Sequence, residues 1–165
     1  MKKVAVIMGS ASDLPIVEKA ISTLREYDVP CEVHIFSAHR TPDEAASFAA
    51  QARENGFGAI LAAAGMAAHL AGALAARTTL PVIGIPIKSK SLDGIDALLS
   101  TVQMPSGIPV ATVAIDGAVN AALLSLEILS VSDPALAGKL DAARAAAASK
   151  VLAADRELID QYSHI

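Results

Sequence analysis

The sequence predicts an α/β protein in which helices cover both faces of a five-stranded parallel sheet and one extra helix closes the chain. Three observations carry this. Short, near-continuous apolar runs alternate with longer stretches whose apolar residues recur at three and four positions, as buried parallel strands joined by helical crossovers do. Gly, Pro and Asn punctuate the joins. The length of 165 residues suits one domain with a substantial core.

The elements follow in order. Lys3 to Met8 (KVAVIM) reads as the first strand and ends in Gly9-Ser10. Leu14 to Tyr27 reads as a helix, with Ile16, Val17, Ala20, Ile21 and Leu24 on one face. Cys31 to Phe36 is the second strand. Thr41-Pro42-Asp43-Glu44 predicts a helix start, with Thr41 as N-cap, Pro42 in the first turn and Glu44 closing a capping box; this helix runs to about Asn55, where Gly56 stops it. Gly58 to Ala63 is the third strand, Ala67 to Arg77 a helix, and Leu80 to Ile85 the fourth strand, with Pro81 limiting where pairing begins. Leu92 to Val102 is helical and Pro109 to Ala114 is the fifth strand. Ala118 to Leu129 is a helix, and Asp133-Pro134 caps the last one, with Leu136, Leu140, Ala147, Val151 and Leu158 on one stripe. His164 sits in a tail expected to be disordered.

Composition removes whole classes of function. Apolar residues make up 53% of the chain and charged residues 18%, a bias towards apolar that fits a large interior or surface hidden in an oligomer. Net charge is −4, which argues against a broad nucleic-acid-binding face. Two Tyr, three Phe and no Trp leave no stacking platform for single strands. No apolar stretch is long enough to span a bilayer. The run after Lys2-Lys3 resembles a signal peptide in outline but ends at Gly9, and a strand fits it better. The single Cys31 cannot form an internal disulfide, which suits a reducing compartment and a cytoplasmic protein.

In an open parallel sheet, ligands bind beyond the carboxyl ends of the strands. Those ends carry Gly9-Ser10-Ala11-Ser12-Asp13, Ser37-Ala38-His39-Arg40-Thr41, Ala64-Gly65-Met66-Ala67-Ala68-His69 and Ile87-Lys88-Ser89-Lys90-Ser91. The opposite rim has ordinary turns such as Asp28-Val29-Pro30 and Asn55-Gly56. The Gly9–Asp13 loop reads equally as a phosphate cradle at a helix N-terminus, with Ser10 and Ser12 as donors, or as a turn with an N-cap. Asp13 would cap the helix or accept from ribose hydroxyls. Arg40 stands where the helix dipole disfavours a cation, so an anion such as a phosphate should offset it. His39, beside it, is of the one side-chain type suited to exchanging a proton at physiological pH, and its place on this rim favours a functional role over a structural one. His69 fits a ligand contact and a hydrogen-bonded structural role equally. His34 reads as structural, Lys88 and Lys90 as solvated charges, and Cys31 as a small core residue on the wrong rim. Gln103 to Gly107 is too elaborate for a plain loop, and its task is not legible. No metal-ligand spacing is present.

Taken together, MGSASD, SAHRTP, AGMAAHLAG, LPVIGIPI, LLSTVQMPSGIPVATVAI and NAALL resemble the N5-carboxyaminoimidazole ribonucleotide mutase family (PurE) of purine biosynthesis over about residues 4 to 130. The resemblance implies a three-layer α/β/α, flavodoxin-like domain over residues 1–165, with the last helix, about 134–161, packed on a neighbouring subunit of a homo-octamer. It implies a cofactor-free, metal-free reaction on a small ribonucleotide, with CO2 as a bound intermediate and a transient contact with the carbamate-forming synthetase. By position, the family's phosphate and ribose contacts fall on Ser10, Ser12, Asp13 and Arg40, its catalytic histidine on His39 and its second histidine on His69, with Ser37, Ala38 and Gly65 lining the pocket. The small walls Ala38, Ala67 and Ala68 would exclude water. Two residues depart from the family's AGGAAHLPG: Met66 stands at the second Gly and Ala71 at the Pro. A related subgroup that carboxylates aminoimidazole ribonucleotide directly carries Lys where this chain has Arg40 and lacks the AAHL segment, so both features favour the mutase. A flavodoxin-like module that only binds nucleotide is a further alternative, although no Tyr or Trp lies in the rim loops to stack a flavin.

Overall fold

The computed structural model of the chain describes residues 2–163; Met1, His164 and Ile165, and with them the expectation for the His164 tail, lie outside the described residues. The elements are β1 (Lys3–Met8), a 3-10 turn (Ala11–Asp13), α1 (Leu14–Glu26), β2 (Cys31–Ile35), α2 (Pro42–Gln51), β3 (Phe57–Gly65), α3 (Leu70–Ala75), β4 (Val82–Ile87), α4 (Ile95–Val102), β5 (Ala111–Thr112), α5 (Ala118–Ser130) and α6 (Pro134–Tyr162). The chain divides into two compact units, Met1–Leu129 and Ser130–Ile165.

In the first unit all five strands are parallel, in the order β2-β1-β3-β4-β5, the flavodoxin-like order, with helices on both sides. Val4 to Met8 of β1 and Ala59 to Ala63 of β3 are buried throughout, as strands covered on both faces must be. Alternate residues separate the faces. Ala5, Ile7, Ile60, Ala62 and Val82 pack with Ala45 and Ala49 of α2 and Leu70, Ala71 and Leu74 of α3. Gly84 leaves room for Thr101 of α4 on that same face.

Several boundaries differ from the sequence expectation, each for a local reason. The capping box does not form. The Thr41 hydroxyl accepts from the Ser37 N–H at 2.8 Å and donates to the Ser37 carbonyl, so Thr41 makes no side-chain cap on α2. α2 ends at Gln51 instead of about Asn55, and turns carry the chain to Gly56 at φ 85°. α4 begins at Ile95 instead of Leu92 because Asp93 and Gly94 hold left-handed angles of 52° and 93°. β4 is shifted to Val82–Ile87, since Pro81 has no N–H to donate and its carbonyl accepts from Ile60. β5 is two residues, paired at Ile83–Ala111 and Gly84–Thr112, where Pro109 to Ala114 reads as strand from sequence. β2 is an edge strand and is not covered on both faces: Val33 and Ile35 are 41% and 54% exposed.

In the second unit, Asp133 caps α6 by accepting from the Leu136 N–H at 3.1 Å, with Pro134 in the first turn. Of the expected stripe only Leu136 and Leu140 are buried; Ala147, Val151 and Leu158 are exposed.

Candidate active site

Four loops at the carboxyl ends of β1 to β4 enclose one cleft of about 740 Å³. All nine residues predicted for the site line it: Ser10, Ser12 and Asp13 after β1, Ser37, Ala38, His39 and Arg40 after β2, and Gly65 and His69 after β3. The β4 loop adds Lys88, Ser89, Lys90 and Ser91.

The first loop is organised by its own hydroxyls. Ser10 Oγ accepts from the Ser12 N–H at 3.3 Å and from the Ser12 hydroxyl at 3.0 Å, and the Ser12 hydroxyl lies 3.3 Å from Asp13 Oδ1. Ser10 therefore caps the 3-10 turn, whereas Asp13, although at the N-cap position of α1, makes no side-chain cap. Asp13 is buried. Burial pushes its carboxyl above the ordinary value, and the Ser12 side chain and the Ser10 backbone pull part of the way back.

The second loop is a hook tied at Ser37. Its hydroxyl oxygen accepts from the His39 N–H at 3.3 Å, the Arg40 N–H at 3.2 Å and Arg40 Nε at 3.4 Å. Arg40 Nη2 then donates to the Gly9 carbonyl at 3.1 Å, so the two loops expected to converge are joined directly. His39 and Arg40 are exposed on the cleft.

The third loop explains why α3 begins at Leu70 instead of Ala67. Met66 takes φ 56°, and consecutive bonds from Ala68 N–H to Met66 O and from His69 N–H to Ala67 O, both 2.8 Å, keep the segment out of the helix. Gly65 sits in a tight place: a Cβ there would lie 3.3 Å from the Ile87 carbonyl, which would have to give by a few tenths of an ångström. Gly72 likewise makes room for Met104, whose Sδ would lie 2.9 Å from an added Cβ, with the His69 ring at 3.7 Å. This gives the Gln103–Gly107 stretch a task, since Met104 packs beneath the start of α3 beside His69. Ala67 lines the cleft, but Ala68 does not; it is buried, so only part of the expected alanine wall faces a ligand. Ala71, the second departure, is buried in the α2–α3 core.

The remaining candidates stay outside the chemistry. His34 stacks on Phe36 at 5.1 Å and meets Phe48 at 4.9 Å, which is a structural role. Cys31 is half-buried, short of the core residue expected, and burial raises its thiol further from a reactive thiolate. Lys88 is an exposed charge as read, paired with Asp93 at 3.1 Å, yet it sits on the cleft. A second cleft of about 850 Å³ runs past Arg53, Arg77, Thr78 and Thr79. It has no histidine, and Arg53 there donates to the Thr79 hydroxyl at 3.0 Å. Among the described residues no cluster of His, Cys, Asp or Glu could hold a metal ion, and no helix is long and apolar enough to cross a membrane.

Comparison with known proteins points the same way. The family model described as AIR carboxylase matches residues 3–150. The chain is 58% identical over 140 residues to the N5-carboxyaminoimidazole ribonucleotide mutase of Pyrococcus abyssi, covering 85% of this chain and 80% of that one. It is 51% identical over 156 residues to the mutase of Mycobacterium tuberculosis, covering 94% and 90%. Among solved structures, Treponema denticola PurE superposes with a TM-score of 0.85 at 30% identity, covering 94% of this chain and 97% of that one.

Proposed function

Because the chain belongs to the AIR carboxylase family, we propose that it converts N5-carboxyaminoimidazole ribonucleotide to 4-carboxy-5-aminoimidazole ribonucleotide in purine biosynthesis, with His39 moving the proton. The observation that carries this is the joining of the first two loops by the Arg40–Gly9 bond, beside a cleft that also takes in Gly65 and His69.

The substrate is a small nucleotide. Ser10, Ser12 and Arg40 hold its phosphate and Asp13 its ribose hydroxyls; Ser37, Ala38 and Gly65 line the pocket and His69 is the second histidine. The His39 imidazolium gives its proton to the carbamate nitrogen. The N–C bond breaks, its electron pair stays on nitrogen, and CO2 and aminoimidazole ribonucleotide remain together. The electron-rich C4 attacks the CO2 carbon, and neutral His39 takes the C4 proton, restoring the aromatic ring and its own charge. Holding both fragments in one cleft lowers the recombination barrier by up to about 7–11 kcal/mol. No metal or cofactor enters the sequence of steps.

The exposed Ile95, Leu99 and Val102 of α4, with the exposed Leu92 in the turn before it, form an apolar face that supports assembly into a homo-octamer. The exposed Val151, Leu152, Leu158 and Ile159 support α6 as an element that packs on a neighbouring subunit within one catalytic domain. The chain works in the cytoplasm and receives its unstable carbamate by a transient contact with the synthetase that makes it.

His39→Asn should lose most turnover and still bind nucleotide. Near-normal turnover by that variant overturns the assignment. Supplying the carbamate in one reaction and aminoimidazole ribonucleotide with bicarbonate in another separates the mutase from a direct carboxylase.

A further inference from the structure

We propose that Met66 is the apolar cover of the cleft: its thioether side chain packs over the aminoimidazole ring and seals CO2 against water while the carboxyl group migrates. The inference rests on the mutase reading above and gives one more residue of that site a task.

The first observation is backbone strain. Among the described residues four non-glycine residues hold left-handed angles, and the other three are Asp28, Asp93 and Asp116, a residue type whose short polar side chain tolerates that region. Met66 at φ 56° has no such side chain; it stands where the family pattern has Gly, so this chain keeps an angle that suits glycine while adding apolar bulk to the cleft. The second observation is exposure. Met66 is 64% exposed, whereas Leu70 and Ile87, the other large apolar side chains on the cleft, are buried. The rest of the exposed lining is polar, charged or alanine. An unpartnered apolar group at the mouth of a polar cleft is matched by two things in the reaction, a flat heteroaromatic ring and a neutral linear gas molecule. A methionine is suited to both, because its unbranched, polarisable thioether adapts to the gap and makes favourable contacts with ring edges. Exclusion of water by such a cover protects the free CO2 from escape before recapture.

The test follows escaping CO2. The chain is incubated with 4-carboxy-5-aminoimidazole ribonucleotide labelled in its carboxyl carbon, in unlabelled bicarbonate, and the label lost per interconversion is measured. Met66→Gly should lose label several-fold faster per turnover than the unaltered chain, and Met66→Leu, which restores apolar bulk, should return to near the original value. Met66→Gly should melt no lower, because glycine accepts the angle. Equal label retention by Met66→Gly and the unaltered chain overturns the proposal. So does equal leakage from the Gly and Leu variants, which would make bulk irrelevant. A changed sedimentation coefficient in Met66→Gly also overturns it, since a second copy of the chain would then cover Met66. Absence of any interconversion by the unaltered chain counts against the mutase reading itself and is told apart by that control alone.

Discussion

Gly84→Ala asks whether the packing of α4 on the sheet is as tight as the geometry states. A Cβ on Gly84 would lie 2.3 Å from Thr101 Cγ2, 3.2 Å from Val110 Cγ1 and 3.4 Å from Ala71 Cβ. Carbon atoms settle at about 3.5–4.0 Å, so Thr101 would have to retreat by roughly 1 Å. It is poorly placed to do so. Thr101 is buried, and its hydroxyl donates to the Ala97 carbonyl at 2.7 Å within α4 and reaches the Ala68 carbonyl at 3.5 Å. Overpacking of this kind costs about 1–3 kcal/mol. With each kcal/mol worth about 2–4 °C in Tm for a chain of this size, the variant should melt about 2–12 °C lower. Because Thr101 also supports the loop that carries His69, turnover should fall as well. Thr101→Ser removes the offending methyl and keeps the hydroxyl, so the double variant should regain most of the loss, with a coupling of about 0.5–3 kcal/mol. Calorimetry on the two single variants and the double variant reads this directly. An unchanged Tm in Gly84→Ala, or strictly additive losses in the double variant, refutes the reasoning.

Ser37→Ala removes the acceptor for three N–H groups of the second loop; nucleotide KM should rise about 5–30-fold, the equivalent of about 1–2 kcal/mol, as steady-state kinetics would show. Asp13→Asn removes a buried carboxylate whose folded pKa lies above the unfolded one. The unaltered protein should lose stability as pH rises from the ordinary carboxylate value through that raised value, and stay level above it. The variant should show no such decline and should melt higher at neutral pH while binding nucleotide more weakly, seen by thermal denaturation across pH and by calorimetric titration. Cys31, its thiol pushed up by burial, should react with maleimide several-fold more slowly than free cysteine at mildly alkaline pH. A chelator should leave turnover unchanged; loss of activity restored by an added divalent ion would contradict the metal-free steps.

Elements set by long local patterns were legible from the residues alone. β1 matches its expected bounds because KVAVIM is bracketed by Lys and Gly-Ser, and α6 starts where Asp133-Pro134 predicts. The rim was legible too, since strand-end loops have only one side of a parallel sheet on which to meet. What sequence could not show was which hydroxyl a loop uses for itself. Thr41 reads as a cap, yet bonds backward to Ser37, because the hook's geometry offers it a closer partner than the first turn of α2. The start of α3 was obscured in the same way: Ala67 and Ala68 have helical propensity, but the left-handed Met66 overrides it. Lys88 and Lys90 read as solvated charges because charge and spacing alone carry no distance to a cleft. Met104 was silent because its partner is a missing side chain, the gap at Gly72.

The two margins of the sheet have a consequence for how copies of the molecule can meet. At one margin β5 offers only Ala111 and Thr112 to a neighbour and follows Pro109; at the other, β2 follows Pro30 and carries the exposed Glu32, paired with Lys3. Short, proline-guarded or charged borders give an incoming strand little to template on. Ribbon-like polymerisation is thereby discouraged even at the high concentrations of a crowded cell, and stickiness is left to helical surfaces, where contacts close on themselves and stop.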